Sequence, residues 1–474
     1  MWRPRKVELL AIGLCGLGAC VALESIVPSL GQTVRSPRGM QRESRVPLAA
    51  SPTLAPSAPT AARDPWPAAV AQAIHAAALA QTAQTPAAWD EVAQAWLGAI
   101  AQLQQLAIDD PRRFFAQKKL NEYLHNFLYA QQRAAQGAAA AIYPSFGSQR
   151  LDEQLALYVS YVAALGPPDI LIVGSSRALQ GVEPRALQQG LAAQGLPGMQ
   201  VFNFGINGAT AQVVDGLLRQ ILPPETLPRL ILWADGVRAF NSGRRDRTYE
   251  ALVRSPGYQQ RLMGVSLPLP PPVPTAPDLG LVAPAGHLLA CADCLPPPPW
   301  AIPIAQASVS MTNAVPRAAS AASIDAHGFL AIPHRFDPTT YFQRHPRVAG
   351  HYDGDYAAFN LGGPQAAAFD RVLALSRDRQ IPLVLVNLPL TAIYLDATRS
   401  QAEQQFVQTW QARAARDGFH FRNYARRWPQ NHAFFDDPSH LNQWGAAAIA
   451  QLLAQDRDLP WPQPPSQTPA AGLE

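Results

Sequence analysis

The sequence predicts an α/β domain in which a parallel sheet is covered by helices on both faces. Two observations lead to this fold class. Short, nearly continuous apolar runs alternate with longer stretches of helical periodicity, and small or polar residues follow several of the runs where a strand would end. Strands that are apolar throughout are typical of a parallel sheet buried on both sides. The predicted architecture is therefore a doubly wound, three-layer α/β/α domain.

The apolar runs are the predicted strands. They are DILIVG (169–174), QVFNFG (200–205), RLILWA (229–234), PLVLVN (382–387) and FHFRNY (420–425). The predicted helices are 184–195, 209–222, 364–379, 400–417 and 443–454. Sheets of this kind bind ligands at the carboxyl ends of their strands, so the search for a site concentrates there.

The N-terminus predicts export or membrane anchoring. A basic start, MWRPRK, precedes fifteen apolar residues from Leu9 to Leu23. This length is typical of a signal-peptide core and is shorter than the ~20 residues of a spanning helix. Residues 1–30 are interpreted first as a retained membrane anchor. A lipoprotein signal with Cys20 as the lipid attachment site, and ordinary signal cleavage, are the second and third alternatives.

Composition divides the remaining chain, and 46 clustered prolines mark its linkers. A Pro/Ser/Ala-rich linker is predicted over 31–65, followed by a helical region over 66–142. The α/β domain is predicted over 143–458. A proline-rich insertion at about 262–345 is expected to cross the carboxyl-end face as an irregular excursion, and 459–474 is predicted to be a disordered tail.

Charge and ligand-type residues exclude several classes of function. The net charge of +4 is spread thinly, charged residues make up only 15% of the chain, and no long run of Lys or Arg occurs. Nucleic-acid binding is therefore not predicted. The group His432, Asp436, Asp437 and His440 carries no cysteine support, so no metal site is predicted. No cofactor is predicted either.

The first strand runs into Gly-Ser-Ser-Arg and then a helix. A serine between a strand and a helix lies near the backbone donors of the helix, a position that suits a nucleophile if a base is nearby. Gly205 and Gly208 follow the second strand, where backbone N–H groups can approach a developing oxyanion. Taken alone, Gly-Ser-Ser is more often a plain turn or a phosphate-binding loop.

The stretch FFDDPSHLNQWG contributes an acid and a base. Asp437 and His440 are three residues apart on a loop that enters the last helix, so the carboxylate can hold one imidazole nitrogen while the other faces a serine. The alternative is that Asp437 and Ser439 only cap that helix. Five further residues at the strand ends are candidate substrate contacts: Arg177, Asn207, Asp235, Arg238 and Asn241.

These motifs, taken in order, resemble the blocks of the SGNH (GDSL-type) hydrolase superfamily over about 169–455. The resemblance implies a flavodoxin-like fold of the SGNH type. It assigns Ser176 as the nucleophile, His440 as the general base and Asp437 as the residue that orients the base. The N–H groups of Ser176 and Gly208 are then the expected oxyanion hole.

One block departs from the SGNH pattern. Its third block normally supplies an Asn as an oxyanion donor, and here LWADG has Ala234 at that position and keeps Asp235. Loss of one such donor typically lowers the rate by ~10²–10³. Within the superfamily the chain looks closest to a cyanobacterial membrane-anchored family of unknown function. It is more distantly similar to the D-alanyl-lipoteichoic acid transfer protein, whose first block is also Gly-Ser-Ser.

The sequence therefore leads to two functional hypotheses of different classes. The first is an extracytoplasmic serine esterase or O-acyltransferase that acts on acyl groups of a carbohydrate or cell-envelope polymer. It is expected on the periplasmic side of a bacterial inner membrane. The second is a catalytically silent SGNH-like domain that binds an envelope glycan or a partner protein. The serine, glycine and Asp-His set favours the first hypothesis, and Ala234 favours the second.

Overall fold

The five predicted strands form one parallel sheet. The computed structural model describes residues 64–107, 110–137, 141–270, 323–348 and 354–463. The strands are β1 (Ile170–Gly174), β2 (Val201–Gly205), β3 (Leu230–Asp235), β4 (Leu383–Asn387) and β5 (His420–Asn423). Their order is β2-β1-β3-β4-β5, and all neighbouring pairs are parallel. The order reverses between β1 and β3, where a doubly wound sheet opens a crevice at its carboxyl edge.

Alternate side chains of each strand enter two separate cores. Leu171 and Val173 of β1 belong to the larger core, whereas Ile170 and Ile172 belong to the smaller one. The other central strands alternate in the same way, because successive side chains of a strand point to opposite faces. The sheet is therefore apolar on both faces, which explains why its strands are visible in the sequence as continuous apolar runs.

Helices cover both faces, so the predicted three-layer α/β arrangement is confirmed. The larger core is covered by α4 (Gln149–Leu165), α7 (Ala211–Gly216, continued by a π-helix over Leu217–Ile221), α11 (Gly363–Asp378) and α12 (Ala397–Asp417). The smaller core is covered by α6 (Pro184–Ala193) and α13 (Gln443–Ala454). The remaining short elements of this region are helices α5 (Ser176–Leu179), α8 (Arg247–Arg254), α9 (Pro256–Leu262) and α10 (Pro338–Arg344), and an antiparallel pair, β6 (Phe435–Asp437) with β7 (His440–Leu441).

Three helices precede the sheet and share its larger core. They are α1 (Pro65–Thr82), α2 (Pro86–Gln104) and α3 (Arg113–Ala134). Asp64 and Thr85 accept hydrogen bonds from the first turns of α1 and α2, and a proline occupies the start of each helix, where a missing N–H is harmless. Gln104 donates to the carbonyl oxygens of Leu157 and Ala326, 3.0 Å away in both cases. The predicted helical region thus packs directly on the α/β layers.

Part of the segment predicted as an insertion belongs to the core. Ile324, Phe329, Leu330 and Phe336 are buried. The N–H of Asn203, in the middle of β2, donates to the carbonyl oxygen of His327 at 2.8 Å. Residues 324–330 therefore run along the free edge of β2, whose backbone groups need partners, and the chain then continues to β6, where the N–H of Phe336 donates to the carbonyl oxygen of Phe435 at 2.8 Å.

Several predicted segments lie outside the described residues. These are the N-terminal segment 1–30, most of the linker 31–65, the proline-rich stretch 271–322 and the tail from 464 onward. Within the described ranges, no helix combines the length and apolar character that crossing a membrane requires.

Candidate active site

The turn after β1 presents two serines at the carboxyl edge of the sheet. Gly174 has φ of +141°, and a Cβ there would lie 2.3 Å from the carbonyl oxygen of Ala234, so the turn requires glycine. Ser175 caps α5 by accepting the N–H of Arg177 at 3.2 Å. Ser176 is the first residue of α5 and is half-buried. The chain can therefore use the two hydroxyls differently.

Ser176 lies next to a histidine from the C-terminal part of the α/β domain. The distance from Ser176 Oγ to His440 Nε2 is 2.9 Å, although the residues are 264 positions apart. His440 Nδ1 lies 2.8 Å from Asp437 Oδ2. A carboxylate can only accept, so Nδ1 carries the proton and Nε2 is left to accept the proton of the serine hydroxyl. We call Ser176, His440 and Asp437 the outer triad.

Asp437 is held by the backbone of its own turn. Its Oδ1 accepts the N–H groups of Ser439 and His440 at 2.7 and 2.9 Å. Burial alone would raise the pKa of Asp437. The charge of His440, its hydrogen bond and these two N–H groups outweigh burial and hold the pKa below its usual range. Asp437 therefore stays ionised at neutral and mildly acidic pH and can stabilise an imidazolium on His440.

Two backbone donors face the same edge. The N–H of Ile206 donates to the carbonyl oxygen of Gly174 at 2.9 Å, so the loop after β2 continues beside the serine turn. Gly208, in that loop, has φ of +73°. Within the described part of the chain, no hydrogen bond is donated by the N–H of Ser176 or of Gly208. Both N–H groups belong to loops that follow the paired strands β1 and β2, and the structure shows no acceptor for either of them among the described residues.

Ser175 belongs to a second polar group, which lies deeper. Asp235 accepts the N–H of Ser175 at 2.8 Å and its hydroxyl at 2.9 Å. The guanidinium of Arg177 donates to the carbonyl oxygens of Leu388 and Pro389 at 2.6 and 3.1 Å. Ser175, Asp235 and Arg177 are 8%, 2% and 4% exposed, which puts them beneath the surface that a substrate can reach. We call these three residues the inner triad.

Burial shifts both charges of the inner triad toward their neutral forms. It raises the pKa of Asp235, against the attraction of Arg177 and the hydrogen bonds from Ser175 and Gly236. It lowers the pKa of Arg177, against the attraction of Asp235 and Glu403. Each charge thus depends on the other for compensation, as expected of ions removed from water.

The other candidate substrate contacts are positioned differently from one another. Asn241 is fully buried, and both ends of its amide are hydrogen-bonded to the backbone of 243 and 355–360. Arg238 is partly exposed, lies 3.6 Å from Asp355 and packs near the ring of Tyr394. Asn207 is exposed beside Gly208. Of the five candidates, the structure therefore leaves Asn207 and Arg238 accessible and buries Arg177, Asp235 and Asn241.

The third-block position supplies no side-chain donor. Ala234 is fully buried in β3, and its methyl group packs in the smaller core. The next residue, Asp235, is the last of the strand and belongs to the inner triad. This position of β3 therefore supplies no side-chain amide to the carboxyl edge.

Two polar residues of the site were not found by sequence reasoning. Ser439 is buried, and its hydroxyl lies 3.1 Å from Asp437 Oδ1 and 3.2 Å from His440 Nδ1. Its position between Asp437 and His440 was the available signal. Glu403 accepts a hydrogen bond from Asn387 at the end of β4, and burial raises its pKa. Nothing in the sequence distinguishes Glu403 from the exposed glutamines around it in α12.

Comparisons of the chain with protein-family models, curated proteins and solved structures give no match. Among the residues that the structure describes, no group of three or more His, Cys, Asp or Glu side chains is arranged to hold a metal ion. The chemical interpretation of the site therefore depends on its own geometry.

Proposed function

We propose that the protein is an SGNH-like serine esterase or O-acyltransferase that acts on acyl groups of a carbohydrate or cell-envelope polymer. The observation that supports this proposal is the continuous hydrogen-bonded series from Ser176 Oγ through His440 to Asp437, with distances of 2.9 and 2.8 Å. A nucleophile, a base and a residue that orients the base are the parts required for acyl transfer through a serine.

The first half-reaction forms an acyl-enzyme. Ser176 Oγ attacks the carbonyl carbon of the ester as its proton passes to His440 Nε2. The carbonyl oxygen becomes an oxyanion and accepts the N–H groups of Ser176 and Gly208. The tetrahedral intermediate then collapses, the bond to the alcohol breaks, and His440 returns the proton to the departing oxygen.

The second half-reaction decides between hydrolysis and transfer. A water molecule or a hydroxyl of an acceptor polymer gives its proton to His440 Nε2 and attacks the acyl carbon. The ester to Ser176 breaks, and His440 gives the proton back to Ser176 Oγ. Water as the acceptor yields a carboxylic acid, whereas a polymer hydroxyl yields a new ester.

The location proposed for this chemistry is the periplasmic side of a bacterial inner membrane. It is supported by the basic start, the apolar stretch Leu9 to Leu23 and the Pro/Ser/Ala-rich stretch that follows. Acylated polymers of the envelope would be within reach of a domain tethered there.

A second function, a silent domain that binds a glycan or a partner protein, is favoured by Ala234, which supplies no amide to an oxyanion. The two functions differ in covalent chemistry. A fluorophosphonate probe reacts with a serine only when a base activates it and the oxyanion is stabilised.

The deciding experiment is probe labelling of the full chain and three variants. We expect labelling of the wild type, loss of labelling in Ser176→Ala and retention in Ser175→Ala, the matched control one residue away. His440→Ala should abolish labelling as well. An unlabelled wild type would support the binding function instead, and a label on Ser175 would contradict the assignment of Ser176 as the nucleophile.

A further inference from the structure

An uncharged surface lies where the described chain begins. Helix α1 contains no Lys, Arg, Asp or Glu in its 18 residues, PWPAAVAQAIHAAALAQT. Its exposed positions are Pro67, Ala68, Ala71, Ile74, His75, Ala78, Gln81 and Thr82. Ile74 is 56% exposed, and His75 is the only ionisable side chain of the helix. A solvated helix normally carries charged residues on its outer face, so this composition requires another explanation.

Two exposed phenylalanines lie at the start of α3. Phe114 is 78% exposed and Phe115 is 59% exposed. Their rings touch each other edge to face, with centroids 5.8 Å apart. A pair of large apolar side chains that protrude together is a mark of an interaction surface, whereas single exposed ones are common.

The starts of α1 and α3 form one continuous surface. Arg112 donates to both carboxylate oxygens of Asp64, at 2.7 and 2.9 Å, and its guanidinium lies 5.7 Å from the ring centroid of Trp66. Phe114 and Phe115 follow Arg112 directly, and the exposed Lys118 lies one helical turn further. We call the outer face of α1 together with Phe114, Phe115 and Lys118 the entry surface.

The chain that precedes the entry surface indicates what covers it. The described residues begin at Asp64, and the sequence before it contains the segments predicted as a membrane anchor and a linker. The predicted linker would span on the order of 30 Å as a random coil and up to about 100 Å if its prolines extend it. A bilayer bound by the predicted anchor would then lie within that distance of Asp64. A tether of this kind raises the effective concentration to the millimolar range, so a weak contact becomes populated.

We propose that the entry surface rests on a phospholipid bilayer, with Phe114 and Phe115 inserted among the acyl chains near the headgroups. The uncharged outer face of α1 then lies along the interface. Lys118 can extend its ammonium group to the lipid phosphates while its methylene groups stay in apolar surroundings. This inference rests on the anchoring that is part of the proposed function, and not on the chemistry at Ser176.

The test is site-specific photocrosslinking of the full chain in vesicles of phosphatidylcholine and phosphatidylglycerol. The photoreactive analogue p-benzoylphenylalanine replaces Phe114 or Phe115 in one set of variants. Tyr129 and Phe342, which are 53% and 40% exposed, are replaced in the control set. Tyr129 lies on the same helix as Phe115, about 21 Å further along its axis, so it controls for the exposure of an aromatic residue on α3.

We expect several-fold more lipid adduct at 114 and 115 than at 129 and 342. Equal adducts at all four positions, or crosslinks from 114 and 115 to a second copy of the chain, would overturn the proposal. Flotation of the same samples reports anchoring, and a chain that does not float with the vesicles overturns the proposal too. Fluorophosphonate labelling of Ser176 in each sample reports the chemistry separately, so a failure of the entry surface is distinguishable from a failure of the catalytic function.

Discussion

The outer and inner triads contain adjacent serines and yet differ in what they can do. Ser176 reaches its aspartate through a histidine, whereas Ser175 donates directly to Asp235. A histidine can take a proton and return it near neutral pH. In the inner triad, Asp235 accepts the hydroxyl and the N–H of Ser175 and is compensated by a buried arginine. Both triads therefore contain a serine and an aspartate. In the outer triad a histidine joins them, whereas in the inner triad they contact each other directly beside a buried arginine.

The largest effect on activity, short of removing Ser176 or His440, is expected from Asp437→Asn. The variant removes the charge that stabilises the imidazolium and leaves Ser439 Oγ, 3.2 Å from His440 Nδ1, as a substitute acceptor. We expect kcat for ester hydrolysis to fall on the order of 10²–10⁴-fold, less than in His440→Ala. Asp436→Asn is the matched control, because it removes the neighbouring negative charge, whose hydrogen-bond partner is His334. A loss as large as that of His440→Ala would show that Ser439 cannot orient the ring.

The main effect of a substitution in the inner triad should be a lower free energy of unfolding. In Asp235→Asn an amide replaces the carboxylate that accepts from Ser175, and Arg177 loses its closest counter-charge. We expect the free energy of unfolding to fall by about 1–3 kcal/mol, because the buried Arg177 loses the charge that most offsets its burial and Ser175 loses a charged acceptor. Denaturant unfolding measures this change. The double variant Asp235→Asn/Arg177→Met should recover part of the loss, and independent, additive losses would contradict the coupling.

A buried histidine, His327, should make the stability of the fold depend on pH. His327 accepts a hydrogen bond from Arg113 at 3.1 Å. Burial lowers the pKa of His327 from the usual 6.5 of histidine to about 4. Between pH 6.5 and 4 the unfolded chain therefore binds more protons at this position, and stability falls as the pH is lowered through that window. One pKa unit corresponds to about 1.4 kcal/mol, so His327 contributes a loss of up to about 3 kcal/mol.

The variant His327→Gln isolates this contribution, because glutamine can still accept from Arg113 and does not titrate. Burial raises the pKa of Asp152 to about 6, which has the opposite effect on stability in acid. Asp152 is present in both proteins, so its contribution to the free energy of unfolding cancels when wild type and variant are compared. We expect the wild type to lose more stability than the variant between pH 7 and pH 4.5 in urea titrations. Parallel pH profiles would show that His327 is not buried in its neutral form.

The smallest effect is expected from Gly208→Ala, which sharpens the description of the outer triad. Gly208 has φ of +73°, so an alanine is strained there by about 1–2 kcal/mol, and its Cβ would lie 2.8 Å from Thr248 Oγ1. Gly198→Ala is the control, since its φ is +77° and nothing lies within 4 Å of the added Cβ. Both variants should lose similar stability, but only Gly208→Ala should also slow probe labelling. Equal labelling rates would contradict the expectation that the backbone conformation at Gly208 matters for the reaction of Ser176.

The sheet was predictable because of how it is buried. Strands covered on both faces need apolar side chains at nearly every position, and the five runs stand out against the alanine- and glutamine-rich helices. All five strands begin and end within two residues of the predicted bounds. The position of Ser176 followed from the rule that parallel strands meet at one carboxyl edge. The pairing of Asp437 with His440 was predicted from their three-residue spacing and from the resemblance to the SGNH blocks.

The division between the inner and outer triads could not be predicted. Arg177 and Arg238 are both arginines just after a strand, and only long-range packing separates them. Arg177 is buried because its guanidinium finds the carbonyl oxygens of residues more than 200 positions away. The edge segment near His327 was missed for a related reason. The segment bonds to β2 but comes directly after the proline-rich stretch 271–322. That stretch suggested that the chain leaves the core there.

That edge segment has a consequence for how the protein folds. The free side of β2 is closed by residues 124 positions later in the chain, through the contact of Asn203 with His327. Contacts between such distant positions form slowly, because a long loop must close, at a cost in entropy, before the contact can stabilise the fold. During synthesis β2 is complete well before His327 emerges, so for that interval the sheet presents an unpaired edge to other chains. Newly made protein should therefore be most prone to self-association before residue 327 has been added.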